Sequence, residues 1–515
     1  MTFDNLLTEL IQEIVYQLDT GRDIKSLRLT NKRVNDAVEP VLWTIKAIMI
    51  DSLEIAVEML RDLPKHRLAT RARRLVIRNF PVPPPLSLTM KLDEDDDPLA
   101  DDRTLVKKLL PKLLSSLVGL QSVEWKLKRS DPDWAWTVVM ESLSSLPALA
   151  RLSLKGDLSW PRPPAMHIRL FPCGSLARLE MNLVVQGPLA VILRFLQDCL
   201  SAIIQNNPRL EAILIRLMYL YYGGPGSGTP DVFDLHSIFE KIPSSKPLRL
   251  QTFLMDLPPG SVRITPKVVE QLKSLRCLEY SEAYRPFNDA ASTLLWTALR
   301  TQQIHVRELT IEKWPCQALV DYLESFSGLE TLSISTSSGP STDYSDNLAR
   351  GFWKNVIPMH KDTLKHITIR SEYTGSWGVG EEHFQTLRSC ENLISLTVNL
   401  NYSPQAEEKD DIVDNLLTSL VESCERFRLL SVDWTAEAPS GFQDRFLDAA
   451  QQQDRARQRL YEHVQSLRLE GLTRNPHRGL VIQVFMSEQA KPLQFRIRRN
   501  ALDGDTYWTF HKVDD

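Results

Sequence analysis

The chain has 515 residues, with 61 Lys+Arg against 65 Asp+Glu for a net charge of −4, and 77 of its residues are leucine. Hydrophobic residues at 43% and charged residues at 24% exclude wholesale disorder, and the near-neutral balance gives no whole-chain electrostatic case for nucleic acid or an anionic membrane. Only 20 glycines stand against 31 prolines, which disfavours a fold of tight two-residue hairpins or glycine-lined nucleotide loops.

The first element predicted is a group of three short helices over residues 1–45. Leu6, Leu10, Ile14 and Leu18 recur at every fourth position, Asp23 to Leu29 begins a second amphipathic segment, and a third runs through Val34 and Val38 to Leu42-Trp43. About forty residues bury little core, so a partner is the expected remedy. The start, Met1 to Glu9, has acids where a secretion signal needs a positive segment, and no secretion is expected. Arg67, Arg71, Arg73 and Arg74 form a basic cluster with two readings, an import signal or anion patch and a solvated strand start. Phe80 to Arg103 carries Pro81, Pro83, Pro84 and Pro85 and the acidic run Asp93 to Asp97 with Asp101 and Asp102; it reads as an inserted loop, solvated or docking a basic partner.

From there the pattern LxxLxL recurs. It is clear from Leu149, Leu176, Leu329, Leu364 and Leu393, looser from Leu120, Leu210, Leu250, Leu275, Val306, Phe427 and Val464, with a first copy at Ala72. These starts lie 23 to 48 residues apart. LxL puts two apolar side chains on one face of a short strand, because strand side chains alternate. Helical spacing fills the intervals: Thr104 to Leu117, Trp134 to Leu146, Pro188 to Gln205, Val232 to Ile242, Pro266 to Leu275, Ala290 to Leu299, Pro315 to Phe326, Asp346 to Met359, Glu381 to Cys390 and Asp411 to Cys424. Thr265-Pro266 and Pro315 are read as helix starts. The prediction is an α/β leucine-rich-repeat-like solenoid (horseshoe) over 46–475, strands on one side and helices on the other. The asparagine such repeats carry after the strand is mostly missing. Runs at Leu480 to Phe485, Leu493 to Ile497 and Trp508 to Phe510 predict a small antiparallel β cap over 476–515.

The N-terminal segment resembles a known family. Leu6-Leu-Thr-Glu9-Leu10-Ile-Gln-Glu-Ile14, then Asp23-Ile-Lys-Ser-Leu27-Arg28-Leu29-Thr-Asn31-Lys32-Arg33, then Pro40-Val-Leu42-Trp43 is similar to the F-box of fungal F-box proteins, and with the repeats the whole chain is similar to F-box/leucine-rich-repeat proteins. The specific part covers under a tenth of the chain, and Leu7 stands where the family usually has proline. The resemblance implies that the F-box docks on the Skp adaptor of a cullin ubiquitin ligase while the repeats capture a protein substrate. Leu6, Glu9, Leu10, Ile14, Leu27 and Val34 correspond by position to the docking motif. The alternative is a repeat scaffold without a ubiquitin-ligase role, its N-terminal helices only capping the solenoid.

Substrate contacts are expected on the strand positions between and after the paired apolar residues: Ser153 and Lys155, Glu180 and Asn182, Thr310 and Glu312, Ser333 and Ser335, Thr368 and Arg370, Thr397 and Asn399, Ser431 and Asp433. Trp314, Tyr373, Tyr402 and Trp434 follow several strands and are candidate rim anchors, since Tyr and Trp bring large rigid area at small entropic cost; packing of each ring on its own loop is the other reading. No HExxH, GxSxG, GxGxxG or P-loop is present, and the histidines are scattered, with His366 read as an exposed or edge strand residue. No enzyme, cofactor or metal site is expected. The six cysteines lie 26 or more residues apart and read as free thiols of a reducing compartment, cytoplasm or nucleus.

Overall fold

A computed structural model describes residues 11, 26–27, 32–45, 48–50, 69–78, 100–128, 131, 133–159, 174–186, 189–219, 233–240, 242–243, 247–257, 262–263, 265–282, 289–312, 315–336, 343–371, 375–401, 411–435, 445–469, 472, 476, 479–485, 492–502 and 505–513. The chain is α/β with a mostly parallel sheet, and it divides into two compact units, Met1–Phe253 with Ser261–Ser274 and Leu254–Gly260 with Leu275–Asp515.

In unit 1 the strands β1 (Ile48–Ile50), β2 (Arg74–Ile77), β3 (Ser122–Leu127), β4 (Arg151–Ser159), β5 (Arg178–Gln186) and β6 (Ala212–Tyr219) pair in parallel, each with the next in chain order. Helices Ala100–Ser116, Asp133–Ser144 and Leu189–Asn206 lie between successive strands in the chain. A two-strand parallel pair, β7 (Phe233–Asp234) with β9 (Val262–Arg263), belongs to the same unit, and β8 (Thr252–Leu257) runs across the division of the chain. In unit 2, β10 (Cys277–Glu282), β11 (Glu308–Glu312), β12 (Thr331–Thr336), β13 (His366–Ser371), β14 (Ser395–Asn401) and β15 (Leu429–Thr435) form a second parallel run. β16 (Arg468–Leu469), β17 (Val481–Val484), β18 (Leu493–Leu502) and β19 (Asp505–Lys512) follow.

The LxxLxL pattern sets these strands. Those after Leu120, Leu149, Leu176, Leu210, Leu329, Leu364, Leu393 and Phe427 each begin two residues past the first apolar position. The apolar residues of each copy are buried, as with Leu149, Leu152 and Leu154 or Leu329, Leu332 and Ile334. Full burial of such a side chain stabilises by about 1.5–3 kcal/mol. Main-chain hydrogen bonds join successive copies at the strand starts. The carbonyl of the residue after the first Leu accepts two consecutive N–H groups of the next repeat: Gln121 O takes Ala150 and Arg151, Ala150 O takes Ala177 and Arg178, and Lys365 O takes Ile394 and Ser395, all at 2.7–3.1 Å. At these strand starts the donors are therefore met by main chain rather than by a side-chain ladder.

Buried polar side chains close a second set of caps. The Leu176 N–H donates to Asn207 Oδ1 at 3.2 Å, Leu248 N–H to Gln271 Oε1 at 3.1 Å, and Leu329 N–H to His360 Nδ1 at 3.3 Å. Asn207, Gln271 and His360 each sit just ahead of the next apolar start, so one repeat caps the one before it. Gly156 holds a positive φ of 135° within β4, and a Cβ there would overlap the Leu127 carbonyl oxygen of β3.

The structure departs from expectation at several points. The copy at Val464 is not part of the parallel run: Val464 lies near the end of a 22-residue helix, Arg445–Ser466, which the apolar spacing did not predict, and the strand that follows, β16, pairs antiparallel with β19. The strand that continues the parallel run beside β15 is β17, Leu429 pairing with Val481 and Val432 with Val484, so the first run of the expected antiparallel cap belongs to the parallel ladder. β17, β18 and β19 then pair antiparallel as expected. The helix Ala100–Ser116 begins inside the segment assigned to the insertion. Thr265 does precede a helix with Pro266 in its first turn, whereas Pro315 stands outside its helix, ahead of the N-terminal boundary residue Cys316.

Candidate interaction face

Alternation along each strand turns one set of side chains into the core and leaves the other set on the opposite face, where register lines them up across the sheet. In unit 1 one row runs Arg74, Ser122, Arg151, Arg178, Ala212, and the next Val76, Glu124, Ser153, Glu180, Leu214. A third runs Lys126, Lys155, Asn182, Arg216, and Asp157, Val184 and Met218 follow. Arg78 and Lys128, both exposed, come directly after β2 and β3. Cations thus occupy two rows, with carboxylates between them. Arg74 Nη2 approaches Glu124 Oε2 at 3.3 Å and Lys155 Nζ approaches Glu180 Oε1 at 3.5 Å. Beside the charges Met218 is 61% exposed.

In unit 2 the same rows carry hydroxyls and amides together with Glu279, Glu312, Arg370 and Asp433. The central row reads Glu279, Thr310, Ser333, Thr368, Thr397, Ser431, Gln483, and the next Ser281, Glu312, Ser335, Arg370, Asn399, Asp433. Ser431 Oγ donates to Gln483 Oε1 at 2.9 Å, and Asn399 Oδ1 accepts the Ser371 N–H at 3.1 Å. Arg370 lies over the Phe485 ring at 4.8 Å. Asp433 is engaged by the nearly buried Arg457 of helix Arg445–Ser466 through two bonds of 2.8 Å. At the strand starts Glu330 meets Lys365 at 2.5 Å and Arg307 at 3.5 Å, and the Lys365 hydrogen bond holds its carboxyl below the usual range.

All the open-face residues expected from sequence share these rows, but Asn399 and Ser431 are buried there rather than open. Of the rim candidates, Trp314, Tyr373 and Tyr402 lie outside the described residues, and Trp434 is a strand position of β15 paired with Leu400 rather than a residue of the loop beyond it. Of the docking-motif residues, Leu6, Glu9, Leu10 and Ile14 lie outside the described residues; Leu27 is half-buried, and Val34 is fully buried with Ala37 and Val38 in helix Lys32–Ile45. The basic rows were missed because the residue preceding LxL (Arg74, Arg151, Arg178) was not counted as part of the face. Their signal is visible once the copies are aligned.

Three of the described histidines, His360, His366 and His383, have structural positions. His366 is half-buried in a strand flanked on both sides by others, not at an edge, with Nδ1 at 2.8 Å from Ser395 Oγ. His360 accepts at Nδ1, so its proton sits on Nε2, which donates to the Leu323 carbonyl at 3.1 Å; burial pushes its pKa down to about 4. His383 accepts the Gly380 N–H at 3.0 Å and packs on Trp353, and burial lowers its pKa too. Among the described residues no three His, Cys, Asp or Glu side chains converge on a metal position, and no helix is long and apolar enough to cross a membrane. No family model matches the chain, and no curated protein matches it either.

Proposed function

We propose that this chain is a non-catalytic substrate-recognition subunit of a Skp-cullin-F-box ubiquitin ligase, acting in the cytoplasm or nucleus. Residues 1–45 form the F-box and dock on the Skp adaptor, and the strand–helix repeats form a leucine-rich-repeat solenoid whose open face takes a protein substrate. The observation that carries the proposal is the pairing of an F-box-like N-terminal motif with a long register of parallel strands that presents polar side chains at regular intervals, a layout suited to protein binding. Aromatic rim anchors at Trp314, Tyr373 and Tyr402 belong to the same proposal.

In docking, Leu6, Leu10 and Ile14 fill an apolar groove of the adaptor, Glu9 lies beside them, and Leu27 and Val34 hold the helices together. Leu27 and Val34 are given this inner role because Val34 is already buried within the chain. The same burial also favours a second reading, in which helix Lys32–Ile45 caps the repeats of a scaffold that meets no adaptor. Capture separates the two. Purified adaptor retained by the full-length chain and lost with Leu10→Asp plus Ile14→Asp supports docking; equal retention, or none by either protein, supports the scaffold.

A further inference from the structure

We infer that the open face of unit 1 is a docking surface for an acidic polypeptide segment, which names the substrate class for the recognition face proposed above and rests on that reading. The surface is built on rigid parallel strands rather than loops. Arg151 and Arg178 stand side by side in one row, and Lys126, Lys155 and Arg216 share another four residues further along the strands. Adjacent strands lie about 4.8 Å apart and residues two apart along a strand about 6.7 Å, so the rows form a grid roughly 14 Å across. An extended peptide repeats its side chains on one side at that interval of about 6.7 Å, so carboxylates four residues apart fall in step with the two rows.

The occupant follows from charge complementarity. The chain as a whole is net negative, yet this face gathers cations that arginine and lysine can offer to carboxylates in paired or single hydrogen bonds. A nucleic-acid strand fits less well. Glu124 and Glu180 occupy the middle row, where a continuous phosphate backbone would lie, and the exposed neighbour is the aliphatic Met218 rather than a stacking ring. A polypeptide can set a neutral residue over the glutamates and an apolar one on Met218.

The test titrates the full-length chain with a fluorescein-labelled oligomer of aspartate and glutamate about ten residues long, at low and at physiological salt. No adaptor is present, so failure here leaves the adaptor reading standing, and failure of adaptor capture leaves this result standing. Saturable binding that Lys126→Ala, Lys155→Ala and Arg216→Ala together weaken roughly tenfold or more, and that Lys107→Ala with Lys108→Ala on the exposed helix surface leaves unchanged, supports the surface. Absence of binding overturns the inference, as does equal weakening by the helix pair. Tighter binding of a deoxythymidine oligomer of equal length overturns it in favour of nucleic acid.

Discussion

Units 1 and 2 are built from the same repeat and the same main-chain ladder, yet they differ wherever the repeat leaves a choice. On the open face, unit 1 carries Arg151, Arg178, Lys126 and Lys155 at positions where β12 to β14 of unit 2 have Thr331, His366 and Ser395, or Ser335, Arg370 and Asn399. In the turn before a strand, Asn207 caps Leu176 in unit 1 and His360 caps Leu329 in unit 2. In unit 2 rings link the strand and helix layers, Tyr280 of β10 on Trp296, Trp296 on Tyr322 and Tyr322 on Phe326 at 5.1–6.2 Å. The corresponding positions of unit 1 are mostly aliphatic, as with Leu143, Leu196, Leu200 and Ile203. The lesson is that buried apolar positions and backbone bonds fix the scaffold, while the cap fixes how each stretch responds to pH and the open face fixes what it can bind.

The largest expected effect concerns the seventh residue after the first Leu, which is Gly156 in unit 1 and Thr336 in unit 2. Gly156→Thr forces a branched side chain into positive φ against Leu127 and should cost about 3 kcal/mol or more. The reverse change, Thr336→Gly, should cost only about 1 kcal/mol. Denaturant unfolding of both variants checks this, and equal losses would mean that the two positions are interchangeable.

The caps come next. Unfolded histidine takes up a proton near pH 6.5, while folded His360 does so only near 4, so the unfolded state binds more protons in that window. Stability should therefore fall by about 3 kcal/mol as pH drops from 6.5 to 4, with no further loss from this group below 4. His360→Asn, copying the cap of unit 1, should flatten that dependence, read from unfolding midpoints or from hydrogen exchange at the Leu329 amide. An unchanged slope would assign the acid sensitivity elsewhere. In unit 1, Asn207→Leu leaves the Leu176 amide without its acceptor and should cost about 1–3 kcal/mol by the same amount across that window. The smallest effect is on the open face: Arg151→Thr or Thr368→Lys should shift stability by less than about 0.5 kcal/mol, because neither side chain belongs to the core.

Much of the strand register was legible because an LxL pair buries two side chains on one face wherever it occurs, and Leu149, Leu329 and Leu364 mark strand starts directly. Helix Arg445–Ser466 was not legible, since its first half reads Arg-Phe-Leu-Asp-Ala-Ala-Gln-Gln-Gln and offers a thin apolar stripe. Without that helix, Val464 looked like a strand start and Leu480 like part of a detached cap. The charged rows were missed for a different reason: Lys126, Lys155 and Arg216 lie 29 and 61 residues apart in sequence and become neighbours only through cross-strand pairing. The buried caps were equally hidden, because nothing local distinguishes Asn207 or His360 from a solvated polar residue.

The proposed role stands on adaptor docking, and the most direct measurement is a calorimetric titration of purified Skp-type adaptor into the full-length chain and into its Leu10→Asp, Ile14→Asp variant. The account predicts stoichiometric binding to the first, with burial of apolar side chains marked by a negative heat-capacity change, and a loss of two orders of magnitude or more, about 3 kcal/mol, in the second. No heat with either protein, or the same affinity for both, would contradict it.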